Sequence, residues 1–230
     1  MGGLLATGRL VFELKAGQGA KPGLGGMTMV SEEAAPGLED QYAIERLTEG
    51  GPLLRASCPG TLTEEIFRQQ IHLMANNYPR ARRWVKLFPG RDVGLAARVA
   101  WAAGADAVTV DGAEGGTGWA PLSFIGHVGL PLAECLRRVG TPDGPLLASG
   151  RVADGARAVK LLALGATAAG IGRAALIAAD EDPEHGLVRL VRSFELEMRL
   201  LISALGKYTP AETGTEDLWA PDHRSCHGDL

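Results

Sequence analysis

The chain has 230 residues, of which 46% are hydrophobic and 22% charged, a composition typical of a folded globular domain. Its formal net charge of −4 offers no basic surface for nucleic acid or an anionic membrane. No run approaches the ~20 apolar residues that span a bilayer, and the N-terminus does not resemble a secretory signal. We therefore expect a cytoplasmic protein without a nucleic-acid or membrane partner.

The N-terminal third of the sequence has an irregular pattern. A β-rich run covers residues 10–14, and a glycine-rich loop and an acidic linker around residues 32–40 follow it. A helix is predicted over residues 63–76, because Thr61 or Thr63 can cap it and Glu64 and Glu65 favour its positively polarised end. Three widely separated cysteines, Cys58, Cys135 and Cys226, indicate neither a disulfide framework nor a metal site.

From residue 81 onward, short β-rich runs alternate with amphipathic helical stretches, as in repeated β/α units with a parallel sheet. The same kind of boundary occurs twice in this region. A helix ends at Gly104 and another at Gly165, and a strand begins shortly after each of them. The predicted strands cover residues 84–88, 107–110, 146–149 and 167–171, and the predicted helices cover residues 92–103, 131–138, 155–164 and 173–179. A long amphipathic helix over residues 187–205 and a loose tail from Pro210 are predicted to follow.

These elements predict an α/β fold, a (β/α)8 TIM-type barrel that is incomplete on its N-terminal side. The pattern contains about six strands, whereas a closed barrel needs eight. The missing strands must come from a rearrangement, a partner chain or upstream coding sequence, because a parallel barrel cannot leave its edges unpaired. We assign residues 1–180 to the partial barrel and residues 181–230 to the C-terminal helix and tail.

Three glycine-containing loops directly follow predicted strands, where β/α barrels carry their active sites. Their backbone amides could approach a flat ring or an anion closely, and arginine suits a phosphate. One alternative is that the glycines only turn the chain at each strand end. The predicted cofactor-binding residues in these loops are Asp111, Gly115, Gly116, Thr117, Gly118, Ser149, Gly150, Arg151, Gly172 and Arg173.

Two further groups are candidates for ligand contact. Lys86 lies within an apolar strand, where an unpaired charge is costly, so we expect it to line the barrel and meet a ligand. Gln18 and Lys21 lie in a loop after the first strand and supply an amide and a cation that could bind a carboxylate substrate. A solvent-exposed turn is an equally good interpretation of that loop from its residues alone.

These motifs resemble the FMN-binding domain of glutamate synthases. The resemblance is carried by QGAKPGLGG at residues 18–26, VKL at 85–87, VDGAEGGTGWAP at 110–121, ASGR at 148–151 and GIGRAAL at 170–176. It implies an eight-stranded barrel in which Lys86 and the three glycine-containing loops hold FMN. It also implies that Gln18 and Lys21 face the substrate, 2-oxoglutarate or the derived 2-iminoglutarate.

The resemblance implies the reduction of 2-iminoglutarate, formed from 2-oxoglutarate and ammonia, to glutamate by reduced FMN. An amidotransferase or electron-donor subunit would be a partner. The cysteine triplet that usually ligates a 3Fe–4S cluster after the last strand is absent between Ala174 and Gly186, so no cluster is expected. Two alternatives remain: another FMN barrel enzyme, such as a hydroxy-acid oxidase or the type 2 isopentenyl diphosphate isomerase, and a non-catalytic truncated barrel or subunit that needs a partner chain.

Overall fold

The computed structural model describes eight stretches of the chain, which are residues 10–19, 21–22, 27–39, 43–46, 48–51, 53–56, 64–115 and 122–219. In chain order, its strands are β1 (Val11–Lys15), β2 (Gly17–Gln18), β3 (Lys21–Pro22), β4 (Met27–Val30), β5 (Ala43–Arg46), β6 (Leu53–Ala56), β7 (Arg82–Leu87), β8 (Ala107–Asp111), β9 (Leu146–Ser149) and β10 (Ala168–Gly170). Its α-helices are α1 (Glu64–Asn77), α2 (Val93–Ala102), α3 (Leu122–His127), α4 (Leu132–Val139), α5 (Gly155–Ala163), α6 (Arg173–Glu181) and α7 (Gly186–Ala204).

The central element is a parallel sheet of five strands in the order β1-β7-β8-β9-β10. A helix follows each of the last four strands, which is the β/α repeat that the sequence predicts. Gly104 and Gly165 both have a positive φ, 96° and 94°, immediately after α2 and α5. This left-handed conformation ends each helix at little steric cost, so the predicted boundary between repeats is confirmed.

Alternating side chains of the sheet separate a helix-covered face from an inner face. Val85, Leu87, Val108, Val110 and Leu146 are at most 3% exposed and pack against the helices. The intervening positions, which include Trp84, Lys86, Thr109, Asp111 and Ser149, lie on the other face because side chains alternate along a strand. That face corresponds to the interior of a β/α barrel, so its polar residues are placed where a ligand could reach them.

The N-terminal third is more regular than its sequence pattern indicates. Strands β4, β6 and β5 form a three-stranded antiparallel sheet, and β2 pairs with β3 in a short hairpin. The acidic linker contains a 3-10 turn at Ala35–Gly37. The strands escaped prediction because they have two or four residues and contain Ala, Lys, Glu and Arg, which gives them little β propensity.

The long helix α7 lies within one residue of its predicted bounds and packs on α5 and α6. Beyond it, 3-10 turns at Pro210–Glu212 and Thr215–Asp217 are held by side chains. The carboxylate of Glu212 accepts the N–H groups of Tyr208 and Thr209 at 2.7 and 2.9 Å. None of the helices in the described stretches combines the length and apolar character needed to cross a membrane.

Candidate functional site

A cluster of three polar side chains lies at the carboxyl ends of β7, β8 and β9. The Nζ of Lys86 is 3.1 Å from Oδ2 of Asp111, and the hydroxyl of Ser149 donates a hydrogen bond to Oδ1 of the same carboxylate. The Asp111 side chain is only 5% exposed, whereas that of Lys86 is 21% exposed. A buried carboxylate thus fixes an ammonium group that remains accessible from the inner face, where the sequence predicts a barrel-lining lysine.

Residues of β1 extend this polar surface. Lys15 is the register partner of Lys86 on the neighbouring strand, so the two lysines share the inner face. Thr109 donates a hydrogen bond from Oγ1 to Oε2 of Glu13 at 3.1 Å. Lys15 is exposed and has no salt bridge within the described stretches. Sequence reasoning missed Glu13 and Lys15, although their spacing of two in a strand was a usable signal that they face the same way.

The loop after β8 is tightly packed against the start of α4. A Cβ added to Gly112 would lie 2.8 Å from Cα of Leu132, so no larger residue fits without movement. The Gly112 N–H donates to the Ser149 carbonyl at 2.8 Å, and the Gly115 N–H closes a turn onto the Gly112 carbonyl at 2.9 Å. The carboxylate of Glu114 accepts the Leu132 N–H at 3.1 Å. The described part of the loop, residues 112–115, is therefore a closely packed turn at the strand end.

Three of the predicted cofactor-binding residues lie in the part of the loop that the structure does not describe. Gly116, Thr117 and Gly118 lie outside the described residues. Asp111 and Gly115 lie within them, and a Cβ on Gly115 would come within 3.2 Å of Cγ of Asp111. The described half of the loop thus sits directly against the carboxylate that holds Lys86.

The loop after β9 contacts the loop after β8. A Cβ on Gly150 would lie 3.2 Å from the backbone nitrogen of Gly112. The next residue, Arg151, has a φ of 51°, an unusual conformation for a residue with a Cβ. Its carbonyl accepts a hydrogen bond from Nη1 of Arg157 at 3.1 Å, while its own side chain is exposed. The exposed guanidinium of Arg151 could therefore contact a ligand.

The loop after β10 leads directly into a helix. Gly172 is the N-cap of α6 and provides no side-chain cap, and Arg173 is the first helical residue. A Cβ on Gly170 would approach Cβ of Ser149 to 3.0 Å, which places the ends of β9 and β10 side by side. The structure therefore brings Lys86, Asp111, Ser149, Gly150 and Gly172 to one edge of the sheet.

Gln18 and Lys21 are register partners in the β2–β3 hairpin that follows β1. Their side chains lie outside the described set, so only the backbone position can be stated. A Cβ on Gly17 would lie 2.7 Å from Cβ of Phe88, just after β7. The hairpin therefore lies at the same edge of the sheet as Lys86, and its described residues pair in antiparallel register.

Cys135 is a buried structural thiol. Burial raises its pKa to about 12, and the nearby carboxylate of Glu114 contributes in the same direction. A thiol with this pKa is neutral at physiological pH and a poor nucleophile. Cys135 is a free thiol in the structure, whereas Cys58 and Cys226 lie outside the described stretches.

Comparison with known proteins gives the lineage of the chain. Residues 6–180 match the family model described as the conserved region in glutamate synthase. The chain belongs to this family. It is 34% identical over 188 residues to the glutamate synthase large subunit-like protein of Rhizobium meliloti, covering 76% of this chain and 40% of that protein. It is 33% identical over 185 residues to the archaeal glutamate synthase [NADPH] of Methanocaldococcus jannaschii, covering 73% and 34% of the two chains. The chain therefore spans well under half the length of these relatives.

The similar solved structures show the fold. An (S)-mandelate dehydrogenase matches with a TM-score of 0.52 and 23% identity, over 71% of this chain and 40% of that chain. A flavocytochrome b2 variant matches with a TM-score of 0.52 and 18% identity, over 70% and 39%. The prediction of a TIM-type α/β fold is confirmed, and within the described residues its parallel sheet has five strands.

Proposed function

We propose that the chain carries the FMN site of a glutamate synthase-type oxidoreductase, which reduces 2-iminoglutarate, formed from 2-oxoglutarate and ammonia, to glutamate. The observation that carries this proposal is the cluster of Lys86, Asp111 and Ser149 at the carboxyl edge of a parallel sheet. Glycine-containing loops follow the strands of Asp111 and Ser149. Membership of the glutamate synthase family supports it independently.

The residues present fit a phosphorylated flavin. Gly150 and Arg151 precede the last β/α unit, and Gly172 with Arg173 begins a nine-residue helix whose first N–H groups lack a side-chain cap. Two guanidinium groups and a helix N-terminus favour a phosphate. Bound FMN would supply the hydride that reduces the substrate imine.

Lys86 provides a fixed positive charge for an electron-rich ligand atom. Asp111, whose carboxylate also accepts the hydroxyl of Ser149, holds the ammonium group of Lys86 without removing it from the inner face, because the carboxylate approaches from the neighbouring strand. The absence of side chains at Gly112 and Gly115 keeps the loop close to the backbone of β9. With Gly116, Thr117 and Gly118 of the predicted set, this loop would bring backbone amides to the flavin.

The substrate side of the site is proposed to lie at the end of β1. Lys15 lies in register with Lys86 and is exposed, and the β2–β3 hairpin with Gln18 and Lys21 follows directly. These residues would supply two ammonium groups and an amide for the two carboxylates of 2-oxoglutarate. Charge-assisted hydrogen bonds of this kind are the strong ones in ligand recognition.

The relatives are longer than this chain, which supports the proposal that further domains or subunits take part in the reaction. An amidotransferase or electron-donor subunit would deliver ammonia and electrons, and a further chain would complete the barrel. No Fe–S cluster enters this proposal, because the residues that follow β10 contain no cysteine triplet.

The proposal is tested by adding FMN to purified protein and measuring flavin fluorescence and absorbance. Binding at one FMN per chain, with loss of affinity in Lys86→Met, is the expected result. Glu195→Gln, at an exposed helical position outside the site, is the matched control and should bind FMN normally. Protein that binds FMN should then form glutamate from 2-oxoglutarate and ammonia when a chemical reductant is supplied. Oxidation of 2-hydroxy acids without glutamate formation would contradict the assignment.

A further inference from the structure

The carboxylate of Glu13 lies on the inner face of the parallel sheet and is directed toward the carboxyl ends of the strands. Glu13 on β1 is the register partner of Trp84 on β7, which in turn is the register partner of Ala107 on β8. The carboxylate accepts its hydrogen bond from Thr109, which is the next residue after Ala107 on the same face of β8. The Glu13 side chain therefore crosses β7 and points toward the edge at which Lys86 lies.

This contact brings the carboxylate to a row that contains two lysines. Lys15, Lys86 and Thr109 are aligned across β1, β7 and β8 by the register of the sheet. Neighbouring strands are about 4.8 Å apart, so the row spans roughly 10 Å, which is the length of a small dicarboxylic acid. Glu13 adds a negative charge at the Thr109 end of a row whose other members are positively charged.

The two carboxylates on this face have different surroundings. Asp111 is only 5% exposed and is paired with Lys86. Glu13 is exposed, and its hydrogen bond comes from a neutral hydroxyl at 3.1 Å. Among the residues that the structure describes, no salt bridge joins Glu13 to a lysine or arginine. A carboxylate that is held in place by a neutral donor can form a charge-assisted hydrogen bond with a cationic group of a ligand.

The charge of Glu13 distinguishes between ligands that have the same two carboxylates. 2-Oxoglutarate has a neutral ketone between its carboxylates and the rest of its chain, so a nearby carboxylate only repels it. Protonated 2-iminoglutarate and glutamate have a cationic nitrogen at the same carbon, and that nitrogen can donate a hydrogen bond to Glu13. Lys15 and Lys86 attract the carboxylates of all three compounds, so the discrimination among them falls to Glu13.

We propose that Glu13 is a specificity-determining residue that recognises the cationic nitrogen of an α-imino or α-amino dicarboxylate. Thr109 is the positioning residue that holds the Glu13 carboxylate in the row of Lys15 and Lys86. This inference rests on the proposed function, because it concerns the same site. It adds that the site favours a ligand with nitrogen at the reacting carbon over 2-oxoglutarate itself.

The test compares the dissociation constants of L-glutamate and 2-oxoglutarate, measured by isothermal titration calorimetry on the full chain with FMN added. Glu13→Gln keeps the shape of the side chain and can still accept the Thr109 hydroxyl, but it has no charge. It should weaken glutamate binding by about tenfold or more and leave 2-oxoglutarate binding unchanged or tighter. An equal loss of both ligands in Glu13→Gln, or an unmodified chain that binds neither ligand, would overturn the proposal.

Two variants of Thr109 test its positioning role. Thr109→Val removes the hydroxyl and should weaken glutamate binding severalfold, whereas Thr109→Ser keeps the hydroxyl and should retain the affinity. Glu195→Gln, at an exposed position on α7, is the matched control for loss of a glutamate charge and should leave both dissociation constants unchanged. Circular dichroism checks that every variant folds. Equal glutamate affinity in Thr109→Val and Thr109→Ser would contradict the role of Thr109.

FMN titration of the same preparations separates this inference from the proposed function. Glu13→Gln should bind FMN as the unmodified chain does, and a loss of FMN affinity would show that Glu13 contacts the cofactor instead. FMN binding and glutamate formation, with neither dicarboxylate affected by Glu13→Gln, would support the proposed function and overturn the role of Glu13. Selective loss of glutamate binding in Glu13→Gln, in a chain that does not bind FMN, would support the role of Glu13 and overturn the FMN site.

Discussion

The ammonium nitrogen of Lys86 lies 3.1 Å from Oδ2 of Asp111 on the neighbouring strand. The register pairs Lys86 with Thr109, so the contact runs diagonally toward the carboxyl end of β8. Asp111 also accepts the hydroxyl of Ser149 on β9. One buried carboxylate therefore links three strands at the edge where a ligand would bind, and it combines a structural role with the positioning of a cation.

We expect Lys86→Met to lower the free energy of unfolding by about 1–3 kcal/mol, because it leaves the buried Asp111 carboxylate without its counter-charge. The double variant Lys86→Met with Asp111→Asn should recover most of that stability, since a neutral amide needs no cation. Neither variant should regain FMN affinity. Urea unfolding and FMN titration of the same preparations separate the two effects. Full FMN affinity in the double variant would show that Lys86 does not meet the cofactor.

Two substitutions at Arg151 should differ in their effect on stability but have the same effect on FMN binding. Its φ of 51° is tolerated far better by glycine, so Arg151→Gly should be about 1 kcal/mol more stable than Arg151→Ala. Both variants lose the guanidinium, and FMN affinity should fall by about tenfold or more in each. Thermal unfolding and fluorescence titration measure the two quantities. Unchanged FMN affinity in both variants would place the phosphate elsewhere.

Gly112 is expected to be sterically irreplaceable. In Gly112→Ala the new methyl group would meet Cβ and Cα of Leu132 at 2.5 and 2.8 Å, so overpacking should cost about 1–3 kcal/mol. Gly126→Ala in α3 is the matched control, because nothing lies within 4 Å of its added Cβ. That variant should be neutral or up to about 1 kcal/mol more stable. Equal unfolding midpoints for the two variants would show that the loop after β8 shifts to accommodate the added methyl group at little cost in stability.

Asp106 should contribute to the decrease in the free energy of unfolding at acidic pH. Burial alone would raise its pKa, but hydrogen bonds from the backbone N–H and the guanidinium of Arg83 outweigh this effect and hold the pKa below its ordinary value of 3.8. The unfolded chain therefore takes up this proton at a higher pH than the folded chain does. The stabilisation is fully present above pH 3.8 and is lost as the pH falls through the lower, folded pKa.

The matched variant is Asp106→Asn, whose amide oxygen can still accept the N–H of Arg83 but does not titrate. Urea unfolding between neutral pH and pH 2.5 should show a shallower loss of stability below pH 3.8 in the variant than in the unmodified chain. If the variant and the unmodified chain lost stability equally at acidic pH, the pKa of Asp106 would not be lowered in the folded chain.

Sequence reasoning predicted the β/α repeats well because each unit carries its own local signals. The apolar strands, the amphipathic helices and the glycines that end α2 and α5 are all read within about twenty residues of one another. Lys86 was found for the same reason, since a charge inside an apolar strand is conspicuous. The antiparallel strands β4, β5 and β6 were missed because they are short and their stability comes from pairing rather than from their own composition.

The sequence by itself determined the kind of units, the position of the glycine-containing loops and the family resemblance. Only the tertiary structure decided that Lys86, Asp111 and Ser149 meet, that Thr109 contacts Glu13 across 96 positions, and that Lys15 lies beside Lys86. The physical reason is that parallel pairing brings distant strands side by side, and the register between them is selected by packing of the helix-covered face. A single chain segment contains no signal of that register.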